Sequence, residues 1–363
     1  MIRILQVVTH MDRGGLETML MNYYRHIDRT QVQFDFLTHR DYEGDYGAEI
    51  KQLGGILYHL PVLNPFSPDY RKKLGQFFDE HPEYRIIHVH QDCMSGVILQ
   101  VAKEHGVLVR IAHSHSSNQI KNIKYPIKLV FRHFIARYAT KLLSCGEEAG
   151  KWMFCGAPFE ILNNAIPAES YTFDAEKQRI QRDKWKIESD ELVIGHVGSF
   201  TVPKNHLFLL DVFHALQKRI PAKLMLVGDG DLRREIEDKI QKLDLADKVI
   251  LTGVRSDVPD LLQAMDVFLF PSLHEGLPMT MVEAQASGLP CLISDKVPME
   301  CKMTENVQQI SFADSPEIWA DRVMEAAKTT RRNTYEEIKA AGYDIVENAK
   351  RLQNMYEKMT TSF

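Results

Sequence analysis

Two carboxylates eight positions apart, Glu275 and Glu283, bracket the stretch Gly276-Leu277-Pro278-Met279-Thr280-Met281-Val282. Before them, Val267-Phe268-Leu269-Phe270 is a continuous apolar run broken by Pro271-Ser272, the pattern of a strand buried on both faces. After them, Pro278 suits the first helical position, where a missing N–H costs nothing, and Gly288 suits a helix end. Pro290-Cys291-Leu292-Ile293-Ser294 then resumes as a strand. The order strand, loop, helix, strand puts Glu275 at the carboxyl end of a parallel strand, where open α/β sheets bind ligands. The amides of Leu277, Met279 and Thr280 would face an anion there, helped by the helix dipole. Glu283, about a turn and a half into the helix, is placed to accept hydrogen bonds from ribose hydroxyls. The chemistry this arrangement suits is the holding of a charged, hydroxyl-rich ligand.

Around this centre the segment resembles the retaining glycosyltransferases of family four, which have the two-domain B-type fold and carry a Glu-x7-Glu signature in the C-terminal domain. The resemblance extends to Pro271-Ser272 and to Glu283-Ala284-Gln285-Ala286-Ser287-Gly288-Leu289-Pro290, in the manner of bacterial capsular and exopolysaccharide enzymes. It implies a nucleotide-sugar donor and two Rossmann-like domains facing a cleft. The apolar runs agree. Ile2–Val8, Val32–Leu37, Ile86–His90, Val107–Ile111 and Lys141–Ser144 form one strand series. Leu192–Val197, Leu224–Val227, Val249–Leu251 and the runs at 267 and 291 form another, with helical patterns between. The fold class expected is therefore α/β with two doubly wound domains. Residues 1–166 form an acceptor-binding domain, 167–335 a donor-binding domain, and 336–363 part of one terminal helix, Tyr335 to Met359, that packs back on the first. The linker falls at Asn163-Asn164-Ala165-Ile166-Pro167, where the family commonly has Asn-Gly and this chain has Ala165.

Four further segments carry the resemblance. Gly14-Gly15 ends the turn after the first strand and opens a helix, so the backbone can approach a phosphate without a Cβ in the way. Lys204, after the strand Leu192–Val197, matches the family lysine that balances the charge of the departing diphosphate. Ser199 stands where the family often has arginine, which removes one cation, and Arg255 or Arg13 is a candidate substitute. The backbone near Val254 would contact the base, with uracil implied by the family distribution. His113-Ser114-His115 follows the strand read at 107–111; the family places a histidine here facing the transferred sugar, and His113 is the first choice with His115 behind it. His88-Val89-His90 is a second His-x-His pair. Two such pairs could suggest zinc, but no acid or cysteine completes a ligand set at the usual spacing, so no metal is expected. Asp229-Gly230-Asp231 has the form of a metal and diphosphate motif, yet its glycines after a strand favour a plain turn.

Bulk properties add exclusions. The chain has 363 residues, 44% of them hydrophobic, and a net charge of −5, which argues against general nucleic-acid binding. Five cysteines without C-x-x-C spacing fit a reduced, cytoplasmic setting. Nothing reads as a signal peptide or membrane span. The segment 110–141 holds Arg110, Lys121, Lys124, Lys128, Arg132, Arg137 and Lys141 without an acid, interleaved with Tyr125, Phe131, Phe134 and Tyr138. It suits an anionic membrane face or an ordinary helix with cations outward. The function expected is metal-independent, retaining transfer from a nucleotide diphosphate sugar, with UDP the leading carrier, to a saccharide or lipid-linked acceptor in surface polysaccharide assembly. The catalytic residues would be His113, Lys204 and Glu275, and the donor contacts Gly14, Gly15, Ser199, Val254, Arg255, Leu277, Met279, Thr280 and Glu283. The alternatives are a nucleotide-sugar epimerase on the same fold and a non-catalytic sugar-nucleotide sensor.

Overall fold

The computed structural model describes residues 1–115 and 125–360. The chain divides into two compact units, Met1–Ala165 with Ile345–Phe363, and Ile166–Asp344.

The first unit is built on seven strands: β1 (Ile2–Val7), β2 (Val32–Thr38), β3 (Leu57–His59), β4 (Ile86–Val89), β5 (Val109–Ser114), β6 (Lys141–Ser144) and β7 (Glu160–Ile161). They pair in parallel in the order β3-β2-β1-β4-β5-β6-β7. The second unit holds β8 (Leu192–Val197), β9 (Ala222–Val227), β10 (Val249–Gly253), β11 (Val267–Phe270), β12 (Cys291–Ser294) and β13 (Val307–Ile310), also parallel, in the order β10-β9-β8-β11-β12-β13. Each sheet runs outward from its first strand, then returns to that strand's other side. Right-handed crossovers in both directions place helices on both faces, which makes each sheet doubly wound. The reversal lies between β1 and β4 in one sheet and between β8 and β11 in the other, the position at which open α/β sheets bind ligands.

Each sheet has its own core. Leu5, Val89, Tyr70, Phe78 and Ile98 belong to the first; Leu224, Phe213, Leu269 and the fully buried Trp319 belong to the second. Such strands bury both faces, so they read as continuous apolar runs rather than alternating ones.

Four expectations need correction. The strand expected at 107–111 is β5, Val109–Ser114, because the helix Ser95–Glu104 ends through Gly106 at φ +79° and Val107-Leu108 are spent on the connection. His113 is thus inside a strand. The edge strands β3 and β7 carry too few residues to stand out as runs, and β13, Val-Gln-Gln-Ile, is polar and exposed in its middle. The terminal helix is two helices, Tyr335–Ala340 and Ile345–Thr360, because Gly342 at φ +83° breaks the pattern. The second chain crossing consequently falls after Asp344 rather than 335. There Ile166 bridges Asp344 and its amide donates to the Tyr343 carbonyl at 2.9 Å, so the two crossings run side by side. Finally, Pro278 caps the helix Met279–Ala286 from one residue outside it, while Gly288 at φ +68° ends it as expected.

Ile345–Thr360 belongs to the first unit and packs on the helix Gly15–His26. Its Tyr356 is fully buried, edge-on to Phe34. Ala165 is buried at a φ that needs no glycine; its carbonyl accepts from Asn22 Nδ2 at 3.2 Å, and that of Asn163 accepts from Tyr23 at 2.7 Å.

Candidate active site

In the second unit the loops after β8 and β11 meet at the switch point of the sheet. The Leu273 amide donates to the Pro203 carbonyl at 2.7 Å, and Asn205 Nδ2 donates to the Pro271 carbonyl at 3.2 Å. Asn205 takes a left-handed φ of +56°, which Asn tolerates better than most residues, and so turns the chain from the short turn Val202–Lys204 into the helix His206–Gln217. These ties bring Lys204 Nζ within 2.8 Å of Glu275 Oε1, an ion pair without the angle of a directed hydrogen bond. The ammonium also lies 4.8 Å from the centre of the Phe270 ring. Both side chains are mostly but not wholly covered, at 17% and 11% exposure, so the pair can still be reached. Two residues from separate sequence motifs thus meet in one ion pair.

Glu283 sits one turn deeper, on Met279–Ala286. It is buried, and its Oε1 accepts from the Tyr171 hydroxyl at 3.0 Å. Burial pushes its carboxyl up to about 7, a rise that the tyrosine hydrogen bond partly offsets. Tyr171 was not legible as a site residue, since nothing near it resembles a motif; Gln263 Nε2 holds its carbonyl at 3.1 Å. The first intrahelical donor is Met281, which bonds the Pro278 carbonyl, so the amides of Met279 and Thr280 open the helix without a preceding turn to bond. The Thr280 hydroxyl is buried and unpartnered. Leu277 is half-buried on the same loop.

The remaining loops of this sheet are knitted together by close backbone contact. Phe200 N donates to the Asp229 carbonyl at 2.9 Å and Gly228 N to the Gly253 carbonyl at 2.9 Å. Gly228 has φ +140°, and a Cβ there would lie 2.1 Å from the Gly198 carbonyl oxygen. The Asp229 side chain accepts from the Gly230 amide at 2.8 Å and lies 3.4 Å from Arg233, which is the bonding of a turn. Ser199 and Val254 are exposed at their loops. Arg255 is clamped by Asp257 through contacts of 2.8 and 2.7 Å, and so is committed rather than available to replace the cation missing at Ser199.

In the first unit Gly14 and Gly15 open the helix Gly15–His26, and neither has a positive φ. What they supply is space. The Glu17 carboxylate folds back so closely that a Cβ on Gly14 would meet it at 2.3 Å, whereas Gly15 has no atom within 4 Å of that point. Burial raises the pKa of Glu17, and His10 Nδ1 is 3.6 Å from it. Arg13 lies over the Tyr46 ring at 5.6 Å.

His113, paired with Leu143 in the sheet, is only 2% exposed. His115 lies just past the end of β5 and is half-buried. The alternation of side chains along strands puts both on one face with His88 and His90. Their ring centres are 4.1 to 5.4 Å from their neighbours, so the two His-x-His pairs form one cluster that spacing along the chain does not reveal.

The basic segment is largely used internally. Arg110 donates to the carbonyls of Tyr138 and Leu108, Arg132 to that of Trp152, and Lys141 pairs with Glu160. Lys121 and Lys124 lie outside the described residues. The helix Tyr125–Arg132 has no buried residue and leaves Val130 59% exposed. Among the described residues no helix is long and apolar enough to cross a membrane.

Comparison with known proteins gives one consistent family. Residues 177–345 match the model of glycosyl transferases group 1, and residues 14–153 that of a glycosyl transferase 4-like domain. EpsF of Bacillus subtilis (strain 168), named as a glycosyltransferase, is 36% identical over 99% of this chain and 97% of its own length. An Escherichia coli UDP-Gal:alpha-D-GlcNAc-diphosphoundecaprenol alpha-1,3-galactosyltransferase is 24% identical over 77% of each chain. In fold, the chain resembles Anabaena Alr3699/HepE, crystallised with UDP, at a TM-score of 0.79 and 18% identity over 98% of this chain and 100% of that one. With its two doubly wound sheets and its Glu275 to Glu283 loop, the chain belongs to the group 1 glycosyl transferases, the family-four glycosyltransferases of B-type fold.

Proposed function

We propose that the protein transfers a sugar from a uridine diphosphate sugar to a hydroxyl of a saccharide or lipid-linked saccharide, with retention at the anomeric carbon and without a metal. The observation that carries this reading is the Lys204–Glu275 pair at the switch point of the second sheet, beside the opening of Met279–Ala286. In the transfer the bond from the anomeric carbon to the diphosphate oxygen breaks and a bond to the acceptor oxygen forms on the same face. The acceptor proton passes to the departing diphosphate. Negative charge grows on that diphosphate, and a preformed cation and oriented amides stabilise it most where it grows most. Lys204 supplies the cation, and the amides of Leu277, Met279 and Thr280 supply the dipoles. Glu275 keeps the lysine aimed, then accepts from sugar hydroxyls. Glu283 accepts from the ribose, and the backbone beside Val254 borders the base. Gly14-Gly15 leaves room for the diphosphate at a helix start. For the histidine that faces the sugar, His115 replaces His113, since only His115 stands beyond the strand.

Uridine as the base and a lipid-linked acceptor are supported by the names of the Escherichia coli relative and of the Anabaena complex. Metal independence is supported by the engagement of Asp229 within its own turn. Peripheral attachment to an anionic membrane, from the cytoplasmic side, rests on the exposed apolar face of Tyr125–Arg132, and its electrostatic share is smaller than seven cations suggest.

The test is nucleotide release from uridine, guanosine and adenosine diphosphate sugars, each with chelator present. Release from the uridine class alone, undiminished by chelator, is expected. Conversion of the sugar nucleotide without acceptor would instead mark an epimerase. Binding without transfer or hydrolysis, across a panel of acceptors, would mark a sensor.

A further inference from the structure

Beneath the helix Ile345–Thr360, one face of the first sheet gathers Gln6, His88, His90, His113 and His115. Among the described residues, one ring nitrogen from each of His88, His90 and His113 lies within 4.8 Å of the other two, and all three side chains are buried. We propose that this cluster binds a divalent transition ion of the zinc class through His88, His90 and His113, with His115 able to supply a fourth nitrogen.

The donor chemistry fits. Imidazole ligates through one ring nitrogen in its neutral form. Ligating histidines normally have their second nitrogen held by an outer partner, which fixes the ring. Two of the three have such a partner. His90 Nε2 is 3.0 Å from Gln6 Oε1, which makes that nitrogen the donor and leaves a lone pair on Nδ1. His88 Nδ1 is 2.7 Å from the Tyr356 hydroxyl, leaving its Nε2 buried and unpartnered. His113 has neither nitrogen in a hydrogen bond, although the Leu162 carbonyl is near enough to orient the ring.

Without an ion, His115 Nε2 approaches the His90 Nδ1 lone pair at 2.8 Å and donates to it. Entry of the ion replaces that hydrogen bond; the His115 proton moves to its own Nδ1, so no proton is released. Nitrogens around a tetrahedral zinc stand roughly 3.3 Å apart, so nitrogens now within 4.8 Å of one another would close by up to about 1.5 Å. The site shares His115 with the proposed reaction and none of the diphosphate loops of the second unit, and its test reads metal binding rather than turnover, so either reading can fail without the other. The ion would fasten Ile345–Thr360 to the sheet through Tyr356 and fix the ring of His115.

The experiment uses untagged full-length protein, stripped by chelator and titrated with Co2+ and Zn2+. Expected are one Co2+ per chain with the intense visible bands of a tetrahedral nitrogen site, no thiolate band, and a rise in Tm on adding Zn2+. Cys155→Ser, which removes the exposed thiol, should leave all three unchanged. His113→Asn and His88→Gln should each abolish stoichiometric binding, and Tyr356→Phe should weaken it about 10- to 100-fold. Circular dichroism checks that each variant is folded; two histidine variants ensure that the misfolding of one leaves the other to decide. Absence of binding by the wild type, or wild-type binding by a folded histidine variant, overturns the proposal.

Discussion

In the second sheet the chemically active groups stand on loops, while in the first they stand largely inside strands. Lys204 and Glu275 project from connections after β8 and β11, held by one backbone tie and one from the Asn205 side chain, and partly open to solvent. His88 and His113 belong to β4 and β5 and are almost wholly covered. The strand order around the reversal is the same in both units, so topology alone does not decide this. The difference lies in what each position must do. A group that meets a charged, departing ligand has to remain reachable, and loops over a rigid sheet allow that. A group that orients another can be buried, provided that its polar atoms find partners.

The largest effect that could break this contrast lies in the second unit. Lys204→Ala should lower turnover at least about 100-fold, the usual result of losing one strong electrostatic contact to a developing anion. It also strands Glu275 with little solvent, so some stability is lost with it. Glu275→Gln also leaves one charge without its partner, but should cost less stability than Lys204→Ala, because the ammonium left behind is the more exposed of the two and keeps the Phe270 ring. The double variant should be less impaired than the two single losses multiplied, because the residues act as one unit. Strict multiplicativity in steady-state rates would show instead that the two act apart.

The legibility of each site followed the same division. Glu275, Glu283 and Lys204 could be read because a loop after a buried strand is bounded by Pro and Gly, and side-chain spacing within it is informative. The alternation of strands and helices was equally plain, since parallel strands are apolar throughout. His113 was misplaced because polar residues at the end of β5 resemble a loop when burial is unknown. The two His-x-His pairs were weighed as a zinc site and set aside, and their meeting in one cluster was not legible for a different reason. It depends on β4 and β5 being neighbours, a fact of sheet order, whereas ligand spacing is sought along one segment. Tyr171 was invisible because it reaches Glu283 across 112 positions of sequence from a one-turn helix. The split of the terminal helix rested on Gly342 alone.

Glycines sharpen the comparison, because the two units use them differently. Gly228→Ala places a side chain in a left-handed conformation and against the Gly198 carbonyl, and should cost about 3 kcal/mol or more in chemical denaturation. Gly15→Ala has open space and an ordinary φ, so it should change stability by no more than about 0.5 kcal/mol. If Gly15 leaves room for the diphosphate, this variant nonetheless weakens donor affinity. Equal loss of stability in both would mean that the Gly14-Gly15 loop is merely structural.

The effect that depends on pH concerns Glu283, a deeply buried acid of the second site. Its carboxyl titrates near 7 in the folded chain, against an ordinary value of 4.5. The folded state therefore binds the proton more tightly than the unfolded state does. The contribution to stability is complete below about pH 4.5 and is lost as pH rises to 7, by about 2 to 3 kcal/mol for a shift of this size. Glu283→Gln keeps an oxygen for the Tyr171 hydroxyl but carries no titrating proton. Relative to wild type, it should gain stability between pH 5 and 7.5. Donor binding runs the other way, because ribose hydroxyls donate best to the ionised carboxylate. Affinity for uridine diphosphate should then rise across the same window in wild type and stay flat in Glu283→Gln. A variant whose stability and affinity both track wild type through this range would place the ribose elsewhere and leave Glu283 a structural partner of Tyr171.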